Sequence, residues 1–245
     1  PNERKVSVRP NIPRWGGLAV ALGTAVGIAV ALLLAPPLPD SLRLWGLLAG
    51  SLLVLAIGAL DDRFSLAAWP KLVVEIAAAY TVGFRVEHFS DPITGTVWYF
   101  APALSFGLTT IWVVVVTNSF NLIDGLDGLC TGVAAIIGAA LTLLALQGNH
   151  LPGLLVGTAL VGALLGFLPF NFPPARIFVG DTGALFLGYC LSLIALESYQ
   201  RVTVVTFLVP LLVLAVPLLD TSLSILRRLR RRSNVMAADR EHIHH

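Results

Sequence analysis

The sequence predicts an all-α, polytopic membrane bundle, and three observations carry that prediction. Hydrophobic residues make up 56% of the 245 positions and charged residues only 12%, with a mean hydropathy of +0.84, far more apolar than a water-soluble domain. Apolar runs of roughly 17 to 22 residues recur along the chain. They are long enough to cross a ~30 Å hydrocarbon core as helices and lack the period-2 alternation of a membrane barrel. Finally, Asp61, Asp62, Asn121, Asp124, Asp127, Asn171 and Asp181 fall at the same ends of successive runs. An Asp at the centre of a spanning helix costs about 2.5 to 3.5 kcal/mol on insertion scales, so such residues face a protein interior or an aqueous cavity. Their clustering calls for a shared ligand.

Eight spans are predicted, at 17–35, 43–60, 70–86, 103–121, 127–147, 151–169, 182–199 and 202–224, forming one integral-membrane domain over residues 1–245. The first opens after PRWGG (Pro13 to Gly17) and ends in the proline-rich turn APPLPDSL (Ala35 to Leu42), a strong chain breaker. The second closes on GALDDRF, and the third begins at Pro70 and Lys71. Between Arg85 and Pro102 the stretch DPITGTVWYFAP alternates Thr and Val around a Gly and carries Trp98 and Tyr99, predicting a short β-hairpin at the membrane interface. The fourth and fifth spans flank NSFNLIDGLDGLCTG, and GNHLPG (Gly148 to Gly153) turns the chain into the sixth. The string FNFPPARIFVGDTG leads into the seventh, and an arginine-rich segment follows the eighth. With Pro1 on the cytoplasmic side, thirteen of the sixteen Lys and Arg residues lie on that side and only Arg43, Arg85 and Arg201 lie opposite. That asymmetry is the one cytoplasmic loops carry, and it puts every polar motif inside. Cys130 and Cys190 fall within spans and read as packing residues, not a disulfide framework.

Asp61 and Asp62 stand at the end of the second span. Neighbouring residues on a helix point about 100° apart, so both reach one ligand only where the backbone leaves the helix. A solvated helix end is the plain alternative. Acidic residues at a helix C-terminus oppose the macrodipole, however, and paired like charges repel, which favours a functional role. Lys71 could reach back to an anionic ligand or simply anchor the span in the interface.

In NSFNLIDGLDGLCTG, Gly125 and Gly128 allow a tight turn that carries Asn121, Asp124 and Asp127, oxygen acceptors suited to a cation or phosphate site. The spacing is not that of an EF-hand. The plain reading is an Asn/Asp/Gly turn with N-caps for the next helix, which leaves the apolar flanks unexplained. In FNFPPARIFVGDTG, Asp181 or Thr182 would cap the seventh span by default, and Phe178 sets an aromatic surface beside Asp181. The terminal segment carries five arginines from Arg227 to Arg232, then Arg240, His242, His244 and His245. The arginines read as a positive-inside anchor on anionic lipid. Adjacent histidines without a nearby Cys lack zinc-ligand spacing, and with Arg240 they suit sugar or phosphate oxygens better.

Taken in order, PRWGG, DDRFSL with Lys71, NSFNLIDGLDGL, FNFPPARIFVGDTG and HIHH resemble the polyprenyl-phosphate N-acetylhexosamine-1-phosphate transferase family. The HIHH string is similar to the branch that makes undecaprenyl-diphospho-N-acetylglucosamine for bacterial surface polysaccharides such as lipopolysaccharide or teichoic acid. The resemblance implies transfer of N-acetylglucosamine-1-phosphate from UDP-N-acetylglucosamine to undecaprenyl phosphate, with release of UMP, in the bacterial cytoplasmic membrane. It implies Mg²⁺, with Mn²⁺ as a substitute, held by Asp181 and Asn121. Asp61, Asp62, Asp124 and Asp127 are the catalytic candidates. Lys71, Asn171, Phe178, Arg240, His242, His244 and His245 are the substrate-binding ones, Phe178 against uracil. Expected partners are the nucleotide sugar, the lipid phosphate and membrane lipid, with a homodimer allowed and no nucleic acid. The sequence departs from the family pattern at Ser7, where a His is usual, and at Glu75, where a Gln is usual. The related peptidoglycan branch carries a Lys at the place of Ser65. The resemblance further implies helices before PRWGG and after HIHH, so a longer parent chain is expected.

Two other classes fit the composition. An ion-coupled transporter also puts carboxylates in membrane helices, but near mid-membrane and not at one end. An intramembrane aspartyl protease needs two opposed Asp residues, and FVGD lacks the GxGD spacing.

Overall fold

The computed structural model describes residues 12–34, 41–81, 88–90 and 96–199. Within them the chain forms seven helices and one small antiparallel strand pair. The predicted eighth span and the Arg and His residues of the C-terminal segment lie outside the described residues.

The helices are α1 (Gly16–Leu34), α2 (Ser41–Phe64), α3 (Ala68–Thr81), α4 (Pro102–Ile123), α5 (Leu129–Gln147), α6 (Leu151–Asn171) and α7 (Gly180–Tyr199). Five of them, α1, α2, α4, α5 and α6, are long and apolar enough to cross a membrane. The third helix has 14 described residues, about 21 Å at 1.5 Å per residue, short of a ~30 Å core. The main departure from the predicted boundaries is at α2, which does not stop at residue 60. It runs through Asp61 and Asp62 to Phe64, and Ser65 then breaks it with φ 53° in the left-handed region. The expected hairpin forms from β1 (His88–Ser90) and β2 (Val97–Tyr99), with Phe89 opposite Trp98. Its first strand lies just upstream of the stretch that predicted it.

The seventh helix is the centre of the bundle. It packs on α1, α2, α4, α5 and α6, and every residue from Thr182 to Leu196 is buried. A membrane helix needs small residues where two backbones close on one another, because lipid supplies no hydrophobic drive between helices. Here Gly17 of α1 faces Gly183 of α7, and a Cβ on either would run into the other's backbone. Gly58 of α2 meets the backbone of Thr182, and Gly188 meets the backbone of Thr117 on α4. Gly23 and Gly27 lie against the side chains of Ala163 and Ala159 of α6. Large apolar side chains elsewhere on α1, α2 and α4, including Leu22, Val26, Leu52 and Ile111, stand exposed, the face such a bundle presents to lipid.

Because successive helices alternate in direction, the end of α2, the start of α3, the end of α4, the start of α5, the end of α6 and the starts of α1 and α7 share one end of the bundle. That end holds every polar motif within the described residues. The depth can be read from α4 and α7, which are antiparallel and touch at Thr117 and Gly188. Seven residues onward from Thr117 is Asp124, and seven back from Gly188 is Asp181. At equal rise per residue the two carboxylates therefore stand at the same level.

Candidate functional site at one end of the bundle

Asp61 and Asp62 are adjacent on α2 and face different neighbours, as helical geometry requires. Asp61, 3% exposed, accepts a hydrogen bond from the Leu66 amide at 2.7 Å and pairs with Lys71 Nζ at 2.7 Å. Those contacts close the short turn from α2 to α3 and fix Lys71 near the site end. Asp62 turns instead to α7. Its Oδ1 accepts from the Asp181 amide at 2.9 Å, and its Oδ2 accepts from the Thr182 amide at 2.9 Å and the Thr182 hydroxyl at 2.6 Å. The first amides of a helix have no partner within it. For α7 they go to Asp62, so the expectation that Asp181 or Thr182 caps its own helix gives way to a cap supplied from α2.

One turn deeper, a second polar contact joins α3 to α4. The Asn118 amide nitrogen donates to Glu75 Oε2 and to the Val114 carbonyl. Glu75 is 1% exposed, and its Oε1 is buried with no partner among the described residues. The contact lies one turn below Lys71 on α3 and below Asn121 on α4.

The α4–α5 connection is a tight turn. Asp124 terminates α4, the Gly125 amide donates to the Ile123 carbonyl at 2.8 Å, and Gly128 opens α5 with φ 73° and no side-chain cap. Asp127 therefore does not cap α5. Its Oδ2 accepts from the Ala175 amide at 2.9 Å, which ties this turn to the loop between α6 and α7. Asn171 does similar work at the other end of that loop: its Oδ1 accepts from the Thr131 hydroxyl at 2.6 Å, and its Nδ2 donates to the Ile177 carbonyl at 2.9 Å. The same loop is held against the chain entering α1. The Phe178 amide donates to the Pro13 carbonyl, while Gly16 and Gly17 amides donate to the carbonyls of Phe178 and Val179. Gly180 then adopts φ 71°, and a side chain there would collide with Asp62.

The structure thus brings Asp61, Asp62, Lys71, Asn121, Asp124, Asp127, Asn171, Phe178 and Asp181 to one end of the bundle. Asn121, Asp124 and Asp181 are half-buried, as is the Phe178 ring. Arg240, His242, His244 and His245 lie outside the described residues. Residues that sequence reasoning missed are Thr182, which donates to Asp62, Thr131, which holds Asn171, and the Glu75–Asn118 pair. Thr182 lies in GDTG, Asn118 and Thr131 lie in NSFNLIDGLDGLCTG, and Glu75 stood out as a departure from the family pattern, but no local signal named the partner of any of them.

Asp181, Asn121 and Asp124 offer hard oxygen donors and no sulfur or imidazole. Among the described residues no group of three or more His, Cys, Asp or Glu gathers as a metal cage. Mg²⁺ is held by one or two carboxylates with phosphate oxygens and water, not by a dedicated protein cage. The donor set fits a site of that kind.

Helices long enough to span a membrane, gathered around a buried α7 with carboxylates, amides and a lysine at one end, define a multi-pass membrane protein with a polar terminal site. The sequence profile described as "Glycosyl transferase family 4" matches residues 44–199, which include all of that site's helices except α1, and the chain belongs to this family. It is 36% identical to the probable undecaprenyl-phosphate N-acetylglucosaminyl 1-phosphate transferase of Bacillus subtilis, over 100% of this chain and 68% of that protein. It is 35% identical to the decaprenyl-phosphate N-acetylglucosaminephosphotransferase of Mycolicibacterium smegmatis, over 100% of this chain and 67% of that protein. A phospho-N-acetylmuramoyl-pentapeptide-transferase of Latilactobacillus sakei is 31% identical over 77% of this chain and 62% of its own length.

Proposed function

We propose that this transferase moves N-acetylglucosamine-1-phosphate from UDP-N-acetylglucosamine to undecaprenyl phosphate and releases UMP, at the cytoplasmic face of the bacterial cytoplasmic membrane. The observation that carries the reading is the convergence of Lys71, Asn121, Asp124 and Asp181 at one end of a spanning bundle. A reaction between a water-soluble nucleotide and a lipid anchored by its tail needs its chemistry at that boundary. The names of the Bacillus and Mycolicibacterium relatives support a polyprenyl-phosphate acceptor and an N-acetylglucosamine phosphate product.

In the proposed step an oxygen of the lipid phosphate attacks the β-phosphorus of the donor. A new P–O bond forms as the bond to the α-phosphate oxygen breaks, and UMP leaves with that electron pair. Two anions must meet, and alignment with charge neutralisation does most of the work in phosphoryl transfer. Lys71 would neutralise a phosphate oxygen, exchanging Asp61 for the ligand. Asp181 and Asn121 would hold Mg²⁺, which when bound supplies Lewis-acid neutralisation of the diphosphate. Asp124 and Asp127 shape the nucleotide side of the site, and the Phe178 ring is the candidate platform for uracil. A lipid phosphate has a second pKa near 6, so it needs little help from a base near pH 7.

The test is incubation of the full-length protein in lipid nanodiscs with labelled UDP-N-acetylglucosamine. The reading requires organic-extractable label that depends on both undecaprenyl phosphate and a divalent cation. Label that stays aqueous under every combination overturns it. A donor panel that includes UDP-N-acetylgalactosamine fixes the sugar.

A further inference from the structure

We infer that Asp62 is a positioning residue for Asp181 and takes no direct part in the chemistry, so that the adjacent aspartates of DDRF have separate tasks. The inference rests on the proposed reaction for what Asp181 does, but its geometry stands apart from that reading.

Three donors from α7 converge on the Asp62 carboxylate and occupy both oxygens: the amides of Asp181 and Thr182 and the Thr182 hydroxyl. The fit is built from both sides. Gly180 holds the left-handed φ of 71° immediately before these amides, and a Cβ there would occupy the space taken by the Asp62 carboxylate. Gly58, one turn before Asp62 on α2, is likewise needed for the Thr182 backbone to approach. A carboxylate serving as a base must present an oxygen to the proton it takes. Protonating Asp62 would weaken charge-assisted bonds to the amides that start α7.

This arrangement also explains an oddity of the sequence. An Asp in the last turn of α2 opposes the dipole of its own helix, whereas the same charge at the first turn of α7 is favourable. The negative charge is placed for the other helix. Its consequence is that the first turn of α7, and with it the Asp181 side chain, is registered against the end of α2. Asp61, one residue earlier, serves Lys71 and the α2–α3 turn instead.

The experiment compares wild type, Asp62→Ala, Asp62→Asn and Thr182→Val as full-length protein in nanodiscs, by hydrogen exchange and by kinetics. In Asp62→Ala the amides of the first turn of α7 should exchange faster while those from Leu187 to Leu193 stay protected. The Mg²⁺ concentration for half-maximal turnover should rise about 10- to 100-fold, the usual effect of losing a group that orients a metal ligand. Asp62→Asn and Thr182→Val, which keep part of the contact, should shift both readouts less and in the same direction. They also carry the test if the alanine variant does not fold. An Asp62→Ala/Asp181→Asn double variant should be no slower than Asp181→Asn alone, since both changes act through one residue. Unchanged exchange at the first turn of α7 overturns the inference. So does turnover abolished in Asp62→Asn with the Mg²⁺ requirement unaltered, which would make Asp62 a reacting group. If wild type transfers no sugar phosphate, the proposed reaction falls, and the exchange comparison alone decides the positioning role.

Discussion

Removing Lys71 should damage the fold more than removing its partner Asp61, although both sit in one ion pair. The pair is 2.7 Å long, with side chains 12% and 4% exposed for Lys71 and Asp61. At an effective dielectric of 20, two unit charges at that distance attract by about 6 kcal/mol, most of which offsets the cost of taking both out of water. Breaking such a pair by deleting one partner costs about 3 to 5 kcal/mol, because the other charge stays buried. The two deletions are not equivalent here. In Lys71→Met the Asp61 carboxylate remains on the last turn of α2, held by the Leu66 amide, with no stem on which to reach water. In Asp61→Asn the long Lys71 stem can carry its ammonium outward to the interface. We therefore expect about 3 to 5 kcal/mol for Lys71→Met and about 1 to 2 kcal/mol for Asp61→Asn. The double variant should resemble the single Asp61 change. The assay is unfolding in mixed micelles followed with a thiol-reactive fluorogenic dye, since the only two cysteines, Cys130 and Cys190, are both buried. Equal costs for the two single variants, or additive costs in the double, would refute the argument.

Further outcomes are expected from the same measurements. Gly17→Leu should destabilise by about 3 kcal/mol or prevent folding, because its Cβ meets the Gly183 backbone, whereas Gly162→Ala, which opens into free space, should stay within about 0.5 kcal/mol. Replacing Glu75 with Ala should cost about 1 to 3 kcal/mol by leaving the Asn118 amide short of an acceptor, while Glu75→Gln, which keeps an acceptor oxygen, should cost less; the reverse order would refute the contact. In a cysteine-free background, cysteines placed at Ser65 and Ser233 should be shielded from an impermeant external reagent and one at Asp91 should react. The opposite labelling would invert the topology.

What the sequence made legible was whatever depends on local composition. The spans of α1, α5 and α6 follow from apolar length, and the hairpin from a Gly-centred alternation beside Trp98 and Tyr99. That Asp61, Asp124 and Asp181 share one end follows from the regular alternation of spans and turns. What stayed hidden depends on distant pairing. An Asp pair after an apolar run reads as a helix end, yet α2 continues through it, because Asp62 finds the free amides of a helix 119 residues away. Asp127 and Asn171 look like turn formers and ligands, but each pairs with a residue of the other motif string, Ala175 and Thr131, and that cross-pairing has no signal within either string. Glu75 was visible as a departure from a family pattern, and only the fold supplies Asn118 as its partner. The near-complete burial of α7 could not be read either, since apolar composition alone does not separate a helix buried in protein from one that faces lipid.

The fate of the β-phosphorus distinguishes the proposed transfer from its alternatives. With UDP-N-acetylglucosamine labelled at the β-phosphate, full-length protein and undecaprenyl phosphate, the label should move into the lipid fraction and UMP should accumulate in equal amount. Label retained in UDP while the sugar alone passes to lipid would mean attack at the anomeric carbon and would contradict the proposed transfer.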